Sequence, residues 1–238
     1  MTLISRLLSG ALCFVTALTV GPLASAATFT DMATFTFAVG DAATPGGTAA
    51  EWFQEHGDIA IGFEAGELEL HYHFEDGFNG PGVEVEFEPD EAYIRASDAT
   101  RVENIPAAIP FLGAAAGSDI WVLPQSNSGP QGADALGVPF VGIAAELDGP
   151  PFVSAELLLT DVTGPGEFAL WQSPPTLFDP PSVFMQSQDG FDNTDLLPLT
   201  VGAHDHYNFG FSAPGVYQVT FAATAVAIPE PGSLGVMA

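Results

Sequence analysis

The chain of 238 residues carries 30 acidic residues against only three lysines and arginines, which gives a formal net charge of -27 at pH 7. A protein this acidic repels nucleic acids and anionic membrane surfaces and concentrates cations around itself, so we expect no nucleic-acid partner. Because the sequence has no regular D-x-D-x-D-G loop, we interpret most of the acidic residues as a means of solubility in salt rather than as calcium ligands.

Residues 1–26 have the features of a secretory signal peptide. Arg6 precedes a mostly apolar stretch at residues 7–20, and Ala24-Ser25-Ala26 matches the small-residue pattern of a cleavage site. The apolar stretch is shorter than the roughly 20 residues that a membrane-spanning helix needs. The only cysteine, Cys13, lies inside this segment, so we expect an exported mature chain without disulfides or thiolate ligands.

The mature chain opens with an alternating run at residues 34–37, which predicts an edge strand followed by a loop. Residues 56–75 contain two period-2 runs separated by Ala65-Gly66, a pattern typical of a β-hairpin. If Ala65 and Gly66 form a two-residue loop, Phe63 pairs with Leu68. All the apolar side chains of the hairpin then share one face.

The opposite face of this hairpin collects imidazoles and carboxylates. In the same register Asp58 lies opposite His73 and Ala60 lies opposite His71, with His56 near the open end. Polar side chains of these types on one strand surface are suited to holding a metal ion.

Further strands are predicted at residues 83–87, 120–123 and 183–188, and a second hairpin at residues 156–161 and 167–171. The alternation of the first segment places Glu84 and Glu86 on a solvent-exposed face. The two segments of the second hairpin flank a Gly-Pro-Gly turn. Residues 106–117 and 125–134 are predicted to be loops because they are rich in Gly, Pro and small residues.

The last third of the chain repeats the polar pattern of the central hairpin. In residues 204–211 the odd positions Tyr207, Phe209 and Phe211 form an apolar face, and the even positions His204, His206 and Asn208 form the polar one. A Pro-Gly turn and a strand at residues 216–226 follow. Since the sequence has no sustained helical period and no βαβ alternation, we predict an all-β fold, an antiparallel β-sandwich of immunoglobulin-like or jelly-roll-like type, as one domain at residues 27–226.

All five histidines lie in the polar strand segments: His56, His71, His73, His204 and His206. Residues i and i+2 of a strand point the same way, so each HxH pair offers two ligands to one ion. Neutral imidazole favours Zn²⁺, Cu²⁺, Ni²⁺ or Fe²⁺, and Asp58 could orient a ring or complete the shell. We predict one divalent transition metal ion, zinc first, shared by the two HxH pairs with help from His56 or Asp58. The other interpretation is that the histidines form polar clusters that stabilise the surface.

Six segments, from LELHYHFED through FLGAAAGSDIWVLPQ to AHDHYNFGFSAPGVYQVTFAA, resemble the choice-of-anchor M domain of bacterial surface proteins, which is similar to the actinobacterial surface-anchored repeat. The resemblance covers roughly residues 50–226 and is most specific in the HxHYN-x-x-F-x-x-PG-x-Y string. It implies an exported protein attached to the cell surface, with a metal-type ABC transporter system as a partner and no catalytic residues. Phe209 stands where that family usually has a tryptophan.

Residues 228–234, Ile-Pro-Glu-Pro-Gly-Ser-Leu, resemble the start of a PEP-CTERM sorting signal. Such signals normally continue into a membrane-spanning helix and an Arg-rich tail, whereas this sequence stops at Ala238. We therefore expect residues 227–238 to be a linker and a truncated sorting signal, of an anchored protein or of a released form. A full-length signal implies sorting machinery of the cell envelope as a partner.

From these features we expect a non-catalytic, surface-associated protein that captures a divalent metal. One alternative is a carbohydrate-binding or adhesive module of the envelope or exopolysaccharide matrix, with Trp52 as its exposed aromatic platform while Trp121 and Trp171 pack the core. A metal-dependent hydrolase is a further alternative, because a zinc site with an open position can activate water. The sequence has neither a G-x-S-x-G nor an H-E-x-x-H motif.

Overall fold

The structure is a computed structural model that describes residues 25–173 and 180–228. The core of the predicted signal peptide, residues 1–24, and most of the predicted sorting signal, residues 229–238, lie outside the described residues. Within the described ranges no helix is sufficiently long and apolar to span a membrane.

Strands dominate the described residues. In chain order they are β1 (Ala27–Val39), β2 (Ala50–Trp52), β3 (Glu55–Glu64), β4 (Glu67–Phe74), β5 (Val85–Phe87), β6 (Ala92–Ala96), β7 (Arg101–Val102), β8 (Ile120–Leu123), β9 (Pro139–Glu146), β10 (Phe152–Thr163), β11 (Phe168–Gln172), β12 (Ser182–Gln186), β13 (Leu196–Leu199), β14 (His204–His206), β15 (Asn208–Phe211) and β16 (Gly215–Ala227). The helical elements of the described ranges are one α-helical turn, α1 (Ala133–Leu136), and 3₁₀ helices at Asp98–Thr100 and Pro110–Leu112.

These strands form three sheets. The wide sheet has the order β13-β10-β16-β1-β6-β2, the aromatic sheet β12-β11-β15-β8-β7, and the histidine sheet β14-β9-β3-β4-β5. Most neighbouring strands are antiparallel, whereas β1–β6, β2–β6 and β3–β9 are parallel.

Strand β1 packs on both smaller sheets. Phe35 meets Tyr72 of β4 edge to face, with ring centroids 5.0 Å apart. Phe37 lies two residues further along and therefore on the same face. It packs at 5.2 Å on Phe211 of β15 and at 6.2 Å on Phe168 of β11. The histidine and aromatic sheets thus lie over one face of the wide sheet, and the predicted all-β sandwich is confirmed.

The central hairpin has the predicted register. Phe63 pairs with Leu68, and Asp58 pairs with His73. Both loop residues have positive φ, 52° at Ala65 and 95° at Gly66, which is the conformation of a two-residue type I′ turn. This turn matches the twist of the flanking strands and so fixes which side chains face the core.

Two predictions about the neighbouring strands are wrong. Strand β1 is not at an edge, because it lies between β16 and β6 and pairs with β16 along its whole length. The segments predicted as a second hairpin are β10 of the wide sheet and β11 of the aromatic sheet, so the chain crosses between layers at residues 164–166. In both cases a central partner is β16, which pairs with β1 and β10 from a distant part of the sequence, and a local pattern does not reveal it.

The segment at residues 204–211 is also not one strand. It divides at the buried Tyr207 into β14 of the histidine sheet and β15 of the aromatic sheet. The predicted loop at residues 125–134 runs into α1, and strand β9 follows it. Since β9 lies between β14 and β3, it determines where the two histidine pairs stand relative to each other.

Candidate metal centre

The outward face of the histidine sheet is polar. Strand register aligns one row of side chains across all five strands, in the order His206, Gly142, Asp58, His73 and Glu86. Four of the five positions in this row therefore carry His, Asp or Glu, whose side chains can bind a metal ion. The remaining position is Gly142.

A second row lies two residues further along the strands. It runs from His204 through Ala144 and Ala60 to His71. The two alanines are buried, with 1% and 0% of their surface exposed. These small residues on β9 and β3 leave space above them for the rings of His204 and His71.

On the β14 side of this face three imidazoles converge. Each of His56, His204 and His206 offers a ring nitrogen, and these atoms all lie within 4.8 Å of one another. Asp58 completes the group, with Oδ1 3.7 Å from Nε2 of His56 and Oδ2 3.9 Å from Nδ1 of His204. We call these four residues the histidine cluster.

His206 is oriented as a ligand. Its Nδ1 lies 3.1 Å from the carbonyl oxygen of Val141, and its ring stacks on Phe140 at 3.7 Å. Because a carbonyl oxygen only accepts, Nδ1 carries the proton and Nε2 keeps its lone pair, the arrangement that metal-binding histidines commonly have. Burial lowers the pKa of His206 to about 4, so the ring is neutral at pH 7.

Two buried polar atoms of the cluster lack partners. Within residues 25–173 and 180–228, neither Nε2 of His56 nor Oδ1 of Asp58 finds a hydrogen-bond partner, although both atoms are buried. Asp58 is only 5% exposed, and this burial raises the pKa of its carboxyl group, against the opposite influence of His56 and His204. An unsatisfied buried polar group costs about 1–3 kcal/mol, and a cation between these atoms would satisfy both.

Trp52 is not the exposed platform that the sequence suggested. It is fully buried, and its Nε1 donates to the carbonyl oxygens of Gln54 at 2.9 Å and Glu55 at 3.3 Å. Glu55 adopts a left-handed conformation with φ 69° at the start of β3. Trp52 therefore holds the backbone turn from which His56 projects. Trp121 and Trp171 are buried, as predicted.

A second cluster lies on the β5 side of the same face. His73, Glu84 and Glu86 each offer a ligand atom, all within 4.8 Å of one another. Burial alone would lower the pKa of His73, but its hydrogen bonds with Glu146 and Glu84 outweigh burial and raise that pKa. His71 stands beside this group, with Nε2 3.8 Å from Oε1 of Glu86. We call these five residues the glutamate cluster.

The six residues predicted to bind metal are thus divided between two clusters. His56, Asp58, His204 and His206 lie together, whereas His71 and His73 belong to the glutamate cluster. Strands β9 and β3 separate β14 from β4. Three strand spacings of about 4.8 Å place those backbones about 14 Å apart. The two HxH pairs do not surround one point.

Strand β9 contributes residues that the sequence analysis missed. Gly142 provides space beside Asp58, and Glu146 bonds to His73. The signal was an alternation in residues 141–146, where Val, Ile and Ala occupy the core positions and Gly, Ala and Glu the outward ones.

Comparisons of the chain with protein-family models, with curated proteins and with solved structures find no match. The resemblance to the choice-of-anchor M domain therefore stays a prediction.

Proposed function

We propose that this protein is a non-catalytic metal-binding protein of the cell surface, which captures a divalent transition metal ion, zinc first, in the histidine cluster. One observation carries this proposal. Three imidazoles converge within 4.8 Å beside a buried carboxylate oxygen that has no hydrogen-bond partner in the part of the chain that the structure describes.

The donor set fits the chemistry of zinc. Three imidazole nitrogens and one carboxylate oxygen supply four ligands for a tetrahedral ion. Ligands about 2.1 Å from such an ion lie about 3.4 Å apart, so the cluster needs only a small rotation of its side chains to close. His206 already presents Nε2, because Nδ1 is engaged by Val141.

The exposure of the ligands suggests a route of capture. His204 has 46% of its side chain exposed, whereas Asp58 has 6%. An arriving ion would meet His204 first and then displace any proton from the buried carboxylate. The net charge of -27 favours the approach of cations.

The location and the partners belong to the same proposal. Residues 1–26 support export, and residues 228–234 support retention at the envelope through a sorting system. A captured metal would pass to a metal-type ABC transporter system, as the resemblance to surface-anchored domains implies.

The alternatives have less support. All three tryptophans of the chain are buried, so a carbohydrate-binding module would lack the predicted aromatic platform. A hydrolase needs an open coordination position for water. With Asp58 as the fourth ligand the histidine cluster is closed, which favours capture over hydrolysis.

Calorimetric titration of the metal-stripped protein with Zn²⁺, combined with thermal melts, tests the proposal. At a hundredfold excess over Kd, one ion stabilises the native state by about 2.7 kcal/mol. For a domain of this size that corresponds to a Tm rise of roughly 5–10 °C. We expect His204→Ala/His206→Ala to bind one ion fewer than the wild type.

Asp205→Ala is the matched control, because Asp205 lies between the two histidines and its carboxylate accepts from the side chain of Gln172 and the backbone N–H of His206, not from an imidazole ring of the cluster. We expect it to keep the full stoichiometry. The proposal is overturned if the wild type responds to none of Zn²⁺, Cu²⁺, Ni²⁺ and Mn²⁺, or if the double histidine variant binds as many ions as Asp205→Ala.

A further inference from the structure

We infer that the glutamate cluster is a second metal site, with His73, Glu84 and Glu86 as ligands and His71 as the fourth donor. It shares no ligand with the histidine cluster and does not depend on metal binding there. The two sites would occupy opposite ends of one polar face, with Asp58 in register beside His73.

Two acceptor atoms of the glutamate cluster, on His73 and Glu84, face each other. Nδ1 of His73 lies 2.8 Å from Oε1 and 2.7 Å from Oε2 of Glu146, so it donates its proton there. Nε2 of the neutral ring then carries a lone pair, yet it lies 3.0 Å from Oε1 of Glu84. Two acceptors at this distance need a cation between them, either a second proton on the ring or a metal ion.

The contact with Glu146 has the form of an outer coordination shell. Metal-bound histidines usually donate their other ring N–H to a carboxylate or carbonyl, which fixes the ring and makes the ligating nitrogen more basic. Glu146 gives His73 this support from β9, and Nε2 points towards Glu84 on the other side. The ring is therefore oriented towards the glutamates before any ion arrives.

His71 provides the second, independent observation. Its side chain is 9% exposed, and among the described residues neither ring nitrogen has a hydrogen-bond partner. Nε2 lies 3.8 Å from Oε1 of Glu86. A Cβ on Gly62 would lie 2.8 Å from Cε1 of the ring, so the glycine makes room for the ring. A buried imidazole without partners, next to a carboxylate, is satisfied when an ion binds both.

The donor set also predicts the class of metal. Two imidazoles with two carboxylates form a harder set of metal ligands than the three imidazoles and one carboxylate of the histidine cluster. Carboxylates suit Mn²⁺, and imidazole suits Zn²⁺ and Fe²⁺. We expect the glutamate cluster to accept Zn²⁺ and to bind Mn²⁺ more tightly than the histidine cluster does.

Binding at this site should also order the edge of the sheet. Strand β5 has three residues, and among the strands that the structure describes it pairs only with β4. An ion held by Glu84, Glu86 and His73 would tie β5 to β4 through side chains. Hydrogen exchange of the amides of residues 84–88 should therefore slow when the ion binds.

The experiment compares two double variants by calorimetry with Zn²⁺ and Mn²⁺ and by hydrogen exchange. Glu84→Gln/Glu86→Gln removes two exposed carboxylates of the site. Glu64→Gln/Glu67→Gln removes the same charge from exposed positions at the hairpin tip and serves as the control. We expect two Zn²⁺ per chain in the wild type and in the control, and one in Glu84→Gln/Glu86→Gln. Glu146→Gln should weaken the second site 10–100-fold, the usual cost of losing an outer-shell partner.

The outcomes separate the two sites. Two ions in Glu84→Gln/Glu86→Gln, or exchange at residues 84–88 that metal does not slow, overturns the second site. If the wild type binds one ion and only His204→Ala/His206→Ala loses it, the second site is also overturned. The histidine cluster is then the metal site of the protein. If the wild type binds one ion and only Glu84→Gln/Glu86→Gln loses it, the site at the glutamate cluster is supported and the site at the histidine cluster is overturned.

Discussion

Gly142 leaves open the space that the Asp58 carboxylate occupies, since a Cβ at Gly142 would overlap Oδ1 of Asp58. The two residues pair across the parallel strands β9 and β3. The position of the Asp58 carboxylate therefore requires a glycine at residue 142. It also borders His206, whose Cε1 would lie 3.1 Å from the added Cβ.

Gly142→Ala should therefore weaken the histidine cluster. The methyl group would push the carboxylate of Asp58 away from His56 and His204. We expect a 10–100-fold loss of Zn²⁺ affinity there, the range seen when ligand orientation is disturbed. Crowding in a well-packed site should also cost about 1–3 kcal/mol of stability.

Gly46→Ala is the control for this change, because a Cβ at Gly46 would meet nothing within 4 Å. Calorimetry with Zn²⁺ and urea denaturation of the metal-free proteins measure both effects. Equal Zn²⁺ affinity in the two variants would contradict the role of Gly142.

Asp58→Asn should stabilise the metal-free protein while weakening metal binding. Burial raises the pKa of Asp58 above its ordinary value of 3.8, so ionisation is harder in the folded state than in the unfolded state. The free energy of unfolding therefore falls as the pH rises from the unfolded-state pKa to the higher folded-state pKa. The loss is complete above the folded-state pKa. Asparagine has nearly the same shape and does not ionise, so the loss is removed.

Urea denaturation at pH 7 and pH 3 checks this prediction, with the exposed Asp148→Asn as the control. We expect Asp58→Asn to be more stable than the wild type by about 1 kcal/mol at pH 7, the scale of one unsatisfied buried group. At pH 3 the difference should disappear. A less stable Asp58→Asn protein at pH 7 would show that the carboxylate is already satisfied without metal.

His206 should make the metal-free protein sensitive to mild acid. Burial lowers its pKa from 6.5 to about 4, so the unfolded state takes up a proton first as the pH falls. The neutral His206 ring therefore contributes fully to the free energy of unfolding above pH 6.5. This contribution is lost as the pH falls towards 4. The shift corresponds to about 3 kcal/mol at most, and the partial exposure of the ring reduces that figure.

The measurement is the difference in unfolding free energy between the wild type and His206→Gln from pH 7 to pH 4. Using a difference removes the opposite contribution of His73, whose raised pKa adds stability below pH 6.5 that is lost as the pH rises through the folded-state value. We expect the advantage of the wild type to shrink steadily over this range. A constant difference would exclude His206 as the titrating group.

Local geometry decided what could be predicted from the sequence. The central hairpin was predictable to the residue, because a two-residue turn and a period-2 pattern leave one register with a shared apolar face. The polar orientation of His204 and His206 followed from the same alternation. These features depend on a few neighbouring residues.

The remaining features depend on contacts between distant segments. The division of the histidines into two clusters results from β9, which pairs in parallel with β3 about 80 residues away and separates β14 from it. Trp52 of the wide sheet is covered by two aromatic rings of β4 in the histidine sheet, Phe74 at 4.8 Å and Tyr72 at 6.2 Å. No pattern in the segments at 52 or 204–206 encodes these partners.

Phe37→Ala tests the contact between the two layers of the sandwich. Phe37 is fully buried, and its ring packs on Phe168, Phe209 and Phe211 of the aromatic sheet. Truncating a buried phenylalanine costs about 3–5 kcal/mol, because the transfer energy is lost and a cavity remains. We therefore expect a large fall in the urea midpoint of the metal-free protein.

Met32→Ala lies in the same strand and is 66% exposed, so it should change the stability by less than about 0.5 kcal/mol. The unfolding free energies of both variants, measured by urea denaturation, check the prediction. Because Phe37 packs on the aromatic sheet and lies away from the polar face, the Phe37→Ala protein that remains folded should bind Zn²⁺ with wild-type stoichiometry. A Phe37→Ala protein as stable as Met32→Ala would mean that β1 does not join the two layers through this ring.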